Sequence, residues 1–124
     1  NYVDVIGDND ITRDGILNEY YDDGDLKIEY SFENGKKHGL QKRWYNNNQL
    51  EIIYNYDMGK LEGLQKKWHN NGILKGEWYY SDDKLNGIIK EWYPNKQLKF
   101  SKKYISGELI EVLEHYNPDG TIVQ

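Results

Sequence analysis

The sequence predicts an all-β fold: an elongated antiparallel β-meander of repeated 24-residue β-hairpins, four complete and two partial. Three observations predict it. Glycines recur at a constant step, at Gly15, Gly39, Gly63 and Gly87. Five residues after each comes a large aromatic, as Tyr20, Trp44, Trp68 and Trp92. A turn-forming cluster then separates that aromatic from an aliphatic column of Leu26, Leu50, Leu74, Leu98 and Ile122. Self-similarity at a fixed period of this length marks a repeat architecture whose unit is one supersecondary motif.

Residues 1–14 read as half a repeat, because Tyr2 and Ile6 fall 24 positions before Leu26 and Tyr30. They are predicted to cap one end. Complete repeats follow at 15–38, 39–62, 63–86 and 87–110. A fifth copy at 111–124 starts at Glu111 in place of glycine and carries Tyr116 in the aromatic column. The whole is read as a single repeat domain.

Within each repeat the first strand runs from the glycine to the aromatic and ends at a turn. The turn clusters are Asp22-Asp23-Gly24, Asn46-Asn47-Asn48, Asn70-Asn71-Gly72, Pro94-Asn95-Lys96 and Asn117-Pro118-Asp119-Gly120. Pro118 and Asp119 suit the two central positions of a type I turn, and Gly120 the left-handed residue of a bulged three-residue loop. On that geometry Asn117 opposes Thr121 and Tyr116 opposes Ile122. The same register sets Trp44 against Leu50, Trp68 against Leu74 and Trp92 against Leu98.

Carried down the second repeat, this register puts Leu40, Trp44, Leu50, Ile52, Tyr54 and Tyr56 on one core face. Gln41, Arg43, Glu51 and Asn55 fall on the other. Matching core residues elsewhere are Ile28, Tyr30 and Phe32, then Trp78 and Tyr80, then Phe100 and Tyr104. A second turn, around Asn34-Gly35, Met58-Gly59, Asp82-Asp83 and Ser106-Gly107, joins each hairpin to the next. The pattern is compatible with an open rod and with a sheet that curls toward a barrel.

Composition agrees with a thin structure. Only 37% of the 124 residues are apolar, and the aromatics are 12 Tyr and 4 Trp against 2 Phe, rings suited to half-buried sheets. One 24-residue hairpin cannot bury enough surface to order its own backbone, so each must share its neighbours' apolar side.

The net charge of -5 gives no general reason to expect nucleic acid as a partner. Absence of cysteine excludes disulfides and thiolate chemistry in this chain and fits a reducing or an oxidising compartment alike. No apolar run reaches the roughly 18 to 20 residues of a membrane helix. The sequence begins at Asn1 rather than Met, which fits a removed export signal as well as a cytoplasmic location.

The run Asn34-Gly35-Lys36-Lys37-His38-Gly39-Leu40-Gln41-Lys42-Arg43-Trp44-Tyr45 and the run Asn70-Asn71-Gly72-Ile73-Leu74-Lys75-Gly76 resemble the repeating blocks of the bacterial variant of the MORN repeat proteins. The resemblance spans residues 15–110, with departures at Asn48, Lys96 and Asp83, where non-glycine residues hold turn positions. It implies an antiparallel sheet rod used for binding, associated in some relatives with membrane phospholipids and in some bacterial ones with an antitoxin label.

Two columns are candidate sites. Tyr21, Tyr45, His69 and Tyr93 follow the core aromatics by one residue and so face away from them, a row of rings able to hold a peptide or glycan. Lys42, Lys66 and Lys90 recur two strands apart, about 9.5 Å, and could meet phosphates or lipid headgroups. Against that reading stand opposite-charge cross-strand pairs predicted for Glu19 with Lys27, Arg43 with Glu51, and Glu91 with Lys99.

The acidic run Asp8-Asn9-Asp10-Ile11-Thr12-Arg13-Asp14-Gly15 partly mimics a calcium loop, but Arg13 stands where that loop needs glycine. His38, His69 and His115 occupy three different repeat positions and do not converge on a metal. No nucleophile elbow or phosphate loop is present. The sequence therefore predicts a chain that is not an enzyme and carries no cofactor. It is expected to bind a protein partner, with a phospholipid membrane surface or, for an envelope protein, a glycan or peptide as alternatives and self-association through the sheet ends as a further route.

Overall fold

The computed structural model describes residues 14–124. The proposed N-terminal half repeat, except its last residue Asp14, and the acidic run up to Arg13 lie outside the described residues. Among the described residues, twelve strands form one antiparallel sheet. They are β1 (Gly15–Tyr20), β2 (Leu26–Glu33), β3 (Lys36–Lys37), β4 (Gly39–Trp44), β5 (Leu50–Asp57), β6 (Lys60–Leu61), β7 (Gly63–Trp68), β8 (Leu74–Ser81), β9 (Lys84–Leu85), β10 (Gly87–Trp92), β11 (Leu98–Ile105) and β12 (Glu108–His115). The long strands lie in the order β1-β2-β4-β5-β7-β8-β10-β11-β12, so each sits beside its chain neighbour. The short β3, β6 and β9 fold back on β2, β5 and β8.

The periodic glycines explain why a two-residue strand and a six-residue strand alternate. Gly39, Gly63 and Gly87 have φ of 83°, 84° and 107°, a left-handed kink that separates β3 from β4, β6 from β7 and β9 from β10. In the fifth copy Glu111 holds that position, and the chain runs without a break through β12.

Both turn types follow from their residues. At the hairpin tips Asn117 N–H donates to Thr121 O (2.8 Å) and Gly120 N–H to Asn117 O (2.9 Å), the three-residue loop the sequence predicts. The equivalent pairs recur from Tyr21, Tyr45, His69 and Tyr93. At the linkers both central residues are left-handed: Asn34 and Gly35, Met58 and Gly59, Asp82 and Asp83, Ser106 and Gly107. That is the type I′ geometry that matches strand twist.

Past the tips the register departs from expectation. Trp44 pairs with Leu50, as predicted, but Arg43 pairs with Ile52, leaving Glu51 as an extra, bulged residue. Lys27, Lys75 and Lys99 occupy the same place in the other hairpins. One extra residue flips every side chain beyond it. The predicted core stripe is thereby corrected. Ile52, Tyr54 and Tyr56 share their face with Gln41 and Arg43, while Leu40, Lys42 and Trp44 lie on the opposite face. The predicted charge pairs fail as ladder partners for the same reason, since Glu19 faces Ile28 and Glu91 faces Phe100. Arg43 still reaches Glu51, at 3.4 Å.

The first side, the tyrosine face, holds the core: Gln41, Ile52, Gln65 and Ile89 are all buried there. Two buried glutamines need a reason, and their amides supply it. Gln41 accepts from Ser31 N–H and donates to Ser31 O, both at 2.8 Å, so the side chain replaces a missing strand rung beside the glycine kink. Gln65 does the same with the backbone of Asn55.

Candidate functional site

The other side, the tryptophan face, is built by alternation on β1, β4, β7 and β10. Ile16, Leu40, Leu64 and Ile88 form a column one residue after each periodic glycine. Ile16, Leu40 and Ile88 are 53%, 41% and 43% exposed, and Leu64 is half-buried. Lys42, Lys66 and Lys90 form the next column, and Trp44, Trp68 and Trp92 the third. Between Ile88, Lys90 and Trp92 on β10 and Glu77 and Tyr79 on β8 lies an open hollow of about 270 Å³. Two bulges in β12 turn Val112 to the tyrosine face, where it pairs with Lys102, so the column ends at Ile88.

Lysines in this setting are not a uniform basic ladder. Lys42 pairs with Glu29, and both Lys66 and Lys90 pair with Glu77. Acid and base thus alternate across the face, and the local field is mixed in sign.

The tyrosine and histidine column occupies a different place. Tyr21, Tyr45, His69 and Tyr93 are half-buried beside the hairpin tips. The hydroxyl of Tyr21 donates to Trp44 O (2.7 Å), Tyr45 to Trp68 O (2.7 Å) and Tyr93 to Tyr116 O (2.8 Å), while His69 Nε2 meets Trp92 O at 3.0 Å. A carbonyl only accepts, so His69 carries its proton on Nε2. Each polar tip therefore ties one repeat to the next, holding the tryptophan strands in register. Burial, followed by the charge of Glu51, raises the Tyr45 hydroxyl above its ordinary value.

Other ladders run alongside. Asn47, Asn71 and Asn95 cap their own turns and donate onward to Asn70 O, Pro94 O and Pro118 O. At the linker side Asp14, His38, Glu62 and Asn86 accept from the backbone N–H of Asn34, Met58, Asp82 and Ser106. The sequence carried a signal for this last set, a 24-residue column of side-chain acceptors, as it did for the aliphatic column.

The three histidines stay apart in role: His38 sits 3.2 Å from Glu33 and His115 packs edge-on to Phe100. Among the described residues no group of three or more His, Asp or Glu is placed to hold a metal ion.

The chain matches the family model described as the MORN repeat variant over residues 13–34, 37–58, 61–82 and 85–105, well over half its length and at the same step of 24. No curated protein matches it.

Proposed function

This chain belongs to the MORN repeat variant family, repeat modules for binding proteins or membranes, and on that premise we propose that it is a non-enzymatic scaffold that docks another protein along its tryptophan face. The observation that supports the reading is the aliphatic column of Ile16, Leu40, Leu64 and Ile88, exposed at every member but the half-buried Leu64. Successive members lie two strands apart, about 9.5 Å, with Ser31, Asn55 and Tyr79 on the strands between them, so the column is a periodic apolar row interleaved with polar groups. Lysines and tryptophans beside it fit the rim and core of an interface. A role of the antitoxin kind is one case of such protein binding.

A membrane surface is the second reading, favoured by Lys42, Lys66 and Lys90 next to that row. Glu29 and Glu77 among those lysines, with a net charge of -5, weigh against attraction to anionic lipid. The test is capture from an extract of the source organism by the immobilised chain, compared with Leu40→Asp/Ile88→Asp. Loss of a specific protein by the double variant, with an unchanged circular dichroism spectrum, is expected. Equal retention by both refutes the proposal, and flotation with anionic vesicles at low salt would move the reading to lipid.

A further inference from the structure

The tyrosine face carries a second feature, at the junction of the first two hairpins. An open hollow of about 170 Å³ is floored by Ile28 and buried Gln41 and walled by Tyr30, Tyr54 and Tyr56. Lys37 stands in it, with Nζ 5.5 Å from the Tyr30 ring centroid and 5.4 Å from that of Tyr56. Arg43 lines the same hollow, its Nε 3.4 Å from Glu51. Glu19 accepts the Tyr30 hydroxyl at 2.9 Å.

Repeat symmetry shows what is special here. Position 37 is Lys, but 61 and 85 are Leu; position 43 is Arg, but 67 is Lys and 91 is Glu. At the second junction the Tyr54 position becomes Trp78, whose ring lies so close over Gly76 that a β-carbon there would fall 2.5 Å from it. The indole covers that junction. At the third, Lys102 takes the ring's place and sits 4.0 Å over Phe100. The first junction combines space, aromatic walls and two cations.

We infer that this hollow is a binding site for an aromatic ring bearing a carboxylate. Its ring lies against Tyr54, itself edge to face with Tyr56 at 6.3 Å, and its carboxylate pairs with Lys37 and Arg43. A mostly apolar lining with a few convergent charged groups is the usual make-up of a small-molecule site. The volume resembles the roughly 150 Å³ cavity that admits benzene. An external cation is disfavoured, because Lys37 already stands over the Tyr30 and Tyr56 rings and repels a second positive charge.

Such a group belongs either to a free aromatic acid or to a polypeptide ending in an aromatic residue. The test is titration of the chain with 4-hydroxybenzoate, and with an acetylated dipeptide ending in phenylalanine, read by backbone amide shifts; 4-hydroxybenzyl alcohol is the neutral control. Saturable shifts confined to residues 28–56 are expected, at least tenfold weaker in Lys37→Leu and in the alcohol. Lys37→Leu installs the residue that positions 61 and 85 already carry, so the fold tolerates it. Tighter binding of the dipeptide assigns the site to a partner's terminus, and tighter binding of 4-hydroxybenzoate to a free acid. Lack of saturation by both at about 10 mM, weaker than any useful affinity, or undiminished binding to Lys37→Leu, overturns the inference. The hollow lies on the face opposite the aliphatic column, so Leu40→Asp/Ile88→Asp leaves it intact and the two proposals fail separately.

Discussion

The hydroxyl of Tyr45 donates to the carbonyl oxygen of Trp68 at 2.7 Å, across a chain separation of 23 residues. It is one rung of a ladder that His69 continues with Nε2 and Trp92 O at 3.0 Å. Removing the hydroxyl leaves the Trp68 carbonyl without that partner. Tyr45→Phe should destabilise the chain by about 1 kcal/mol, and His69→Tyr should stabilise it by a few tenths. Urea unfolding followed by tryptophan fluorescence measures both; an unchanged midpoint for Tyr45→Phe would show the rung to be energetically idle.

Left-handed turn residues give a paired prediction. Lys96 holds φ of 75° where Gly24, Gly72 and Gly120 stand in other copies, and it uses a conformation costly for a side chain. Lys96→Gly should raise stability by about 1 kcal/mol. Asp83 is also left-handed, at 68°, but its Oδ1 accepts from Leu61 N–H at 2.7 Å. Asp83→Gly relieves the backbone and loses that bond, so its midpoint should move far less than that of Lys96→Gly.

Gly76→Ala tests the close approach of Trp78. The new methyl would lie 2.5 Å from the indole, so the ring must swing off the strand and give up its packing. A loss of about 1 to 3 kcal/mol is expected, accompanied by a red shift of tryptophan emission. Full retention of both stability and emission would place the ring elsewhere.

The alkaline limit of stability follows from three phenols. Burial is the first cause raising Tyr56 and Tyr80; Tyr54 adds to both, and Asp83 and Tyr80 add to Tyr56. Tyr45 is raised by burial and Glu51. In the unfolded chain such groups ionise near about 10. The folded form keeps its protons longer, so their contribution is whole below that pH and is lost as pH rises through the raised values. Ultraviolet titration should show these phenols ionising later in the folded chain than in urea, and Tyr56→Phe should flatten the fall in midpoint above pH 10. A midpoint that rises with pH there would reverse the sign of the argument.

Much of this protein was legible before any coordinates. The 24-residue step, the tip turns, the linker turns and the pairs Trp44–Leu50, Trp68–Leu74 and Trp92–Leu98 all depend on residues close in sequence, where glycine, asparagine and proline state their backbone preference directly. Leu40 and Trp44 were expected to share a face with Ile52, Tyr54 and Tyr56, and they lie on the opposite one. Glu51 is the cause: a bulge needs no special residue type, and Lys27, Lys75 and Lys99 serve as well.

Sequence alone therefore determined where the chain turns and how often. Only the tertiary structure decided which side of each strand is covered, that Leu40 faces outward, that Gln41 and Gln65 stand in for backbone rungs, and that the tips of Tyr21, Tyr45, His69 and Tyr93 bind the next repeat. Turn chemistry is set by a few adjacent dihedral angles, whereas the face a residue presents depends on one extra rung of a ladder shared between two strands, and on what the neighbouring repeat offers to bond.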